Sequence, residues 1–156
     1  MAENLGKKFE KRFALDWCKS FPDCFFLRLP DQQSGYFGTS RNICDFITFT
    51  GTKLFLIECK SIRKNTFPLT NFTQYDKLKQ FKHIKNVNIG VILWFIDHDA
   101  IVYVPISTYE QIRDARLKSI NIKMLNDNKY KLIPIPAIKK IKFLVADYSI
   151  LADLED

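Results

Sequence analysis

Apolar residues near the start of the chain recur at helical spacing. Phe9, Phe13 and Trp17 share one stripe, which predicts a helix over residues 5–20 with that stripe in the core. Residues 25–29 read as a first strand. Residues 42–62 alternate as a β-hairpin, with arms rich in Ile, Phe and Thr and a two-residue Gly51-Thr52 loop of the type II′ kind. A helix is expected from residue 70 or 71 to about residue 84, with Leu78 and Phe81 inward. The continuous apolar run at 89–96 predicts a central strand covered on both faces. Asp97-His98-Asp99 reads as a turn into a strand at 101–105 rather than as a metal motif. Ser107 and Glu110 form a capping-box pattern for a helix to about residue 117. Residues 129–135 and 141–145 suggest further strands, and 148–154 a closing helix. The layout is an α/β fold, a mixed sheet with the first and second helices against it.

The hairpin carries charge where its pattern calls for burial. If Thr50 faces Lys53, the register puts Asp45 opposite Glu58, and Lys60 lies two residues further along the same face. Cross-strand neighbours have Cβ atoms roughly 5 Å apart, so the two carboxylates repel unless a cation lies between them. A surface ion pair of Glu58 with Lys60 would be worth little and would leave Asp45 unexplained on a face of Ile and Phe. Cys44 and Cys59 are expected on the opposite face as small buried hydrophobes.

An acid followed across a hairpin by acid, spacer and lysine resembles the PD-(D/E)xK nuclease core, here Asp45 and Glu58-Cys59-Lys60. With the flanking Phe67-Pro68-Leu69-Thr70-Asn71-Phe72, Gln74, Lys118-Ser119-Ile120 and Asp147-Tyr148, the chain resembles the RecU Holliday junction resolvases, phage and prophage members included, from about Gly6 to Leu154. The resemblance implies a restriction-endonuclease-like fold that binds and cuts four-way DNA junctions, with Gln74 beside the lysine and, as in other resolvases of the superfamily, an acid such as Glu10 completing the site; from the residues alone, Gln74 reads equally as the capping-box partner of Asn71 and Glu10 as a surface acid in an i,i+4 contact. One departure is visible: residues 31–41 form a short connector in place of the long stalk of cellular members.

The chemistry of the residues agrees. Mg²⁺, with Mn²⁺ as substitute, suits Asp45, Glu58 and the Cys59 carbonyl as oxygen ligands, while Lys60 would orient or deprotonate the attacking water or stabilise the transition state. Two symmetric cuts need two sites, so a homodimer is expected. A sequence-specific restriction-type enzyme and a non-catalytic branched-DNA-binding protein are the alternatives. No small-molecule cofactor is implied.

Charge narrows the partner. Twenty-four basic against seventeen acidic residues give +7 and a pI near 9.2, which favours a polyanion. The clusters are Lys7, Lys8, Lys11 and Arg12; Arg63 and Lys64; and Lys77, Lys79 and Lys82 on one expected helix, with Arg41 ahead of the hairpin. Lys139, Lys140 and Lys142 are either another patch or a solvated strand edge. Tyr36 and Phe37, in the connector, either fold into the core or stack on unpaired bases. The 156 residues read as one domain without linker or repeat. Four scattered cysteines, no zinc spacing, no signal peptide and no apolar run of spanning length point to the cytoplasm of a bacterial or phage-infected cell.

Overall fold

The computed structural model describes residues 4–30 and 42–155. Its first helix, α1, spans Leu5–Ser20, with the Asn4 side chain accepting from the Lys7 amide as N-cap. Strands β1 (Phe25–Arg28), β2 (Phe46–Phe49), β3 (Leu54–Ile62), β5 (Val87–Phe95), β6 (Ala100–Pro105) and β8 (Ile133–Ile135) form one mixed sheet in the order β1-β2-β3-β5-β6-β8. Only β3 and β5 run parallel, in register from Leu54↔Val87 to Ile62↔Phe95. Gly51 takes φ 104°, as the tight turn between β2 and β3 requires, and Asp99 takes φ 49° at the turn between β5 and β6.

The sheet is buried on both faces by separate clusters. Phe9, Phe13 and Trp17 of α1 pack on Phe46, Phe55, Ile57 and Tyr103. The other face is covered by the segment after β4 (Thr66–Pro68), by α2 (Tyr75–Leu78) and by α3 (Ile106–Asp114). Each fully buried large side chain contributes about 1.5–3 kcal/mol, so these two stripes carry most of the stability. Trp17 also donates its indole N–H to Thr48 Oγ1 at 2.8 Å, which satisfies that buried donor.

Several expectations give way. The helix expected at 70–84 is a 3-10 turn (Leu69–Asn71), the four-residue α2 and a second 3-10 turn (Lys79–Phe81). The reason lies in the spacing: Leu69, Phe72, Tyr75 and Leu78, all buried, recur every third residue, the period of a 3-10 helix rather than an α-helix. The capping box at Ser107 does not form, because Pro105 is the N-cap of α3 and Glu110 instead accepts from Tyr75 Oη and Lys82 Nζ. Strand β8 is only three residues long, an edge strand that tolerates Pro134. The closing helix is a 3-10 segment, Tyr148–Asp153. Residues 141–143 are not strand: β9 (Ala137–Lys139) and β10 (Leu144–Ala146) form a separate hairpin on either side of them.

A buried acid fixes that hairpin to α1. Asp16 is 1% exposed, accepts from Arg12 at 2.6 Å and from the Ala146 amide at 3.0 Å, and so joins helix and hairpin. Replacing it by Ala strands both donors. Asp16→Ala is expected to lower unfolding free energy by about 3 kcal/mol in urea titration, with Asp16→Asn intermediate; a cost near zero would show that the link is not used. Four elements from the resemblance are structural in the same way: Phe67 and Pro68 pair with Ile120 and Ser119 across β4 and β7 (Ser119–Asn121).

Candidate active site

Two strands and one irregular residue assemble the charged centre. The ladder between β2 and β3 ends at Phe46↔Ile57, yet the Asp45 amide also donates to Ile57 O at 3.1 Å. Two successive residues therefore address one, the arrangement of a β-bulge, which re-aims the side chain and bends the strand. The register predicted from the turn holds, but Asp45 is displaced along β3: its Oδ2 accepts from the Cys59 amide at 2.9 Å instead of meeting Glu58 squarely. The bulge also turns Cys44 to the Leu56 side of the sheet, away from Cys59 on the α1 side; both are buried, but they do not share a face as expected. Since an extended residue directs its N–H and C=O to one side, the Cys59 carbonyl opens into the same gap beyond the end of β2.

Glu58 is the most perturbed carboxylate there. Its side chain is 3% exposed, Oε1 lies 3.3 Å from Lys60 Nζ, and Oε2 is buried without a hydrogen-bond partner. Burial, then the charge of Asp45, pushes its pKa up to about 7, with Lys60 pulling the other way. A buried carboxylate oxygen with nothing to accept from is costly unless a cation or donor arrives. Among the described residues no three His, Cys, Asp or Glu side chains converge on a point. The available donors are thus two carboxylates and a carbonyl, hard oxygen ligands suited to Mg²⁺ or Mn²⁺ with water and phosphate filling the remaining positions.

The other candidates are distributed as follows. Glu10, on α1, accepts from Arg28 at 3.2 Å, and its charge is felt at Glu58 and Cys59, so it lies near the acids but is held by an arginine. Gln74 stands immediately before α2 with its Oε1 accepting from Thr73 Oγ1 at 2.9 Å. Lys7, Lys8, Lys11 and Lys64 are exposed. Arg12 is committed to Asp16, and Arg63 pairs with Asp97 at 3.4 Å. Lys77 is half-buried, and its supposed helical companions pair elsewhere: Lys79 with Asp76 and Lys82 with Glu110. Asp97-His98-Asp99 is a turn, as expected, with His98 on Asn65 and Asp99 on Lys139. Tyr36, Phe37 and Arg41 lie outside the described residues. Sequence reasoning passed over Arg28 and Asp16; the i,i+4 spacing of Arg12 and Asp16 was the available signal for the second.

A mixed sheet flanked by helices, with two carboxylates and a lysine converging at the end of its central hairpin, defines a restriction-endonuclease-like nuclease fold. The model of recombination protein U matches residues 30–146, most of the chain, and the chain belongs to this RecU family of Holliday junction resolvases, nucleases that act on junction DNA and generally depend on a divalent metal. Among solved structures, Hjc of Archaeoglobus fulgidus, a Holliday junction resolvase from an archaeal hyperthermophile, is similar with a TM-score of 0.51 at 19% identity, covering 66% of this chain and 78% of that one. That likeness speaks for the fold. No curated protein matches the sequence. Among the described residues no helix is long and apolar enough to cross a membrane.

Proposed function

We propose that this chain is a crossover junction endodeoxyribonuclease that uses Mg²⁺, or Mn²⁺ in its place, and acts as a homodimer in the cytoplasm of a bacterial or phage-infected cell. The observation that carries the reading is the unpartnered, buried Glu58 Oε2 beside Asp45. Asp45, Glu58 and the Cys59 carbonyl would hold the metal, which when bound would supply charge neutralisation and an acidified water. Lys60, 3.3 Å from Glu58, is 27% exposed and faces the incoming phosphodiester, where it orients the attacking water or offsets negative charge that develops in the transition state. Asp45 is oriented by the Cys59 amide, which donates to its Oδ2. Glu10 tunes the charge at Glu58 from α1, and Gln74 stands as the polar residue of the second-helix segment. Lys7, Lys8, Lys11 and Lys64 take the phosphates of the arms; Lys77, Arg63, Arg12 and Arg41 belong to the same basic surface, and the connector rings Tyr36 and Phe37 meet unpaired bases. Two copies related by a twofold axis present two sites to a pseudo-symmetric junction.

The test is cleavage of a mobile four-way junction, a three-way junction and a linear duplex of the same sequence, each with Mg²⁺, Mn²⁺ or EDTA. Paired, symmetric nicks confined to branched DNA and abolished by EDTA are expected. Equal cutting of the linear duplex would overturn junction selectivity, and cutting in EDTA would overturn the metal site.

A further inference from the structure

The β9–β10 hairpin stands outside the main sheet, and its tip is built against the usual rules. The Lys140 amide donates to Phe143 O at 2.8 Å, so Ile141 and Lys142 are the two central residues of the turn. Neither is Gly, Asn or Asp, the residues such a turn prefers. Ile141 is 97% exposed, and Ile138 and Phe143 are exposed as well. Lysines alternate with these apolar residues. Lys139 is held by Asp99, whereas Lys140 and Lys142 have no acidic partner among the described residues. The base of the tip contacts α1: the Arg12 guanidinium, paired with Asp16, lies 4.8 Å from the centre of the Phe143 ring.

Between this tip and α1 runs a groove of about 720 Å³, floored by Phe9, Trp94 and Phe143 and rimmed by Lys8, Lys11 and Lys142. Its one acid is Asp16, already bound to Arg12. Trp94 is the ladder partner of Ser61, so the groove lies on the α1 face of the sheet, at the same end as Glu58 and Lys60 but on the face opposite them. A surface that alternates lysine with bare aliphatic and aromatic side chains matches a ligand that is polyanionic along its edge and apolar where it opens, which describes DNA at a branch point.

We propose that the tip at residues 140–143 is a wedge for branched DNA. Ile141 enters between bases that have lost their stacking partner, Lys140 and Lys142 hold the phosphates on either side, and one arm of the substrate lies along the groove against Lys8 and Lys11. The inference rests on the nuclease reading above and deepens it by naming a junction-sensing element distinct from the metal site and from the connector.

The experiment compares wild type, Ile141→Ser and the double variant Lys140→Gln/Lys142→Gln, all at exposed positions, for binding to a four-way junction and a linear duplex in EDTA. The junction carries 2-aminopurine at its branch. Ile141→Ser is expected to lose about tenfold in junction affinity, with duplex affinity unchanged and without the fluorescence rise that reports unstacking in wild type. The lysine variant is expected to weaken both substrates alike and to reduce the slope of log affinity against log salt by about 2. If wild type shows no preference for the junction, the functional reading fails first; if it does and both variants match it, the wedge alone is wrong. Loss of binding to phosphatidylserine vesicles with DNA binding intact would assign the tip to a lipid surface, and conversion of dimer to monomer in sedimentation by Ile141→Ser would assign it to contact between copies. Either result overturns the proposal.

Discussion

Asp45→Asn and Glu58→Gln are each expected to reduce cleavage of a four-way junction below about a thousandth of the wild-type rate, while junction binding in EDTA stays intact or tightens. Each change removes one oxygen charge that a hard cation needs and one negative charge that repels phosphate. The two variants are expected to differ in stability, which guards against misfolding as an explanation. Glu58 ionises near pH 7 in the folded protein, above its unfolded value. The native state therefore binds more protons than the unfolded chain between those values, so metal-free wild type loses stability as pH rises from about 5 to about 8, on the order of 3 kcal/mol. Glu58→Gln, neutral at every pH, should lack most of that loss and melt higher than wild type at pH 8. Asp45→Asn should instead pull the Glu58 pKa down, since the Asp45 charge helps to raise it. Normal turnover by either variant in Mg²⁺ sinks the metal-site assignment; identical pH–stability curves for wild type and Glu58→Gln sink the account of Glu58.

Lys60→Ala is expected to lower the single-turnover rate by about 10²–10⁴-fold without unfolding the protein, because the lysine is partly exposed and its removal leaves the core clusters intact. Its loss also removes the lysine whose charge lowers the Glu58 pKa, so that carboxyl should titrate still higher in the variant. Lys60→Arg separates the two roles. A guanidinium keeps its positive charge but cannot surrender a proton at working pH, and its planar fork does not reproduce an ammonium. A dead Lys60→Arg variant is expected if the amine moves a proton; wild-type cleavage would leave only the electrostatic role.

Much of this was legible in the chain because side-chain period is a strong signal where one face is buried. The α1 stripe, the Gly51 turn, the β2–β3 register and the apolar run that becomes β5 follow from period and turn chemistry alone, and Asp45, Glu58 and Lys60 follow from that register. What escaped is local and has physical causes. A bulge adds a residue without altering composition, so the shift of Asp45 and the reversal of Cys44 leave no trace in the pattern. The every-third-residue spacing from Leu69 to Leu78 is easily taken for an α-helical stripe until the buried positions are seen. Pro105 outcompetes the Ser107 capping box. Ile141 reads as strand in the sequence because no turn residue announces the hairpin tip. Partners of long charged side chains, Arg28 with Glu10 and Arg63 with Asp97, depend on tertiary placement and not on spacing.

The parallel pairing of β3 with β5 has a kinetic consequence. The hairpin that carries both acids closes through a two-residue turn, a microsecond event in principle. The nine-residue ladder that buries Glu58 must wait for residues 63–86, a crossover whose only α-helix is the four-residue α2 and which therefore gains little local structure to offset its closure entropy. Refolding is expected to be slow for a chain of this size, and the desolvation of Glu58 to be completed only with that last pairing. Divalent ions should then act chiefly on the rate of unfolding, holding the finished ladder closed, rather than on the rate at which it forms.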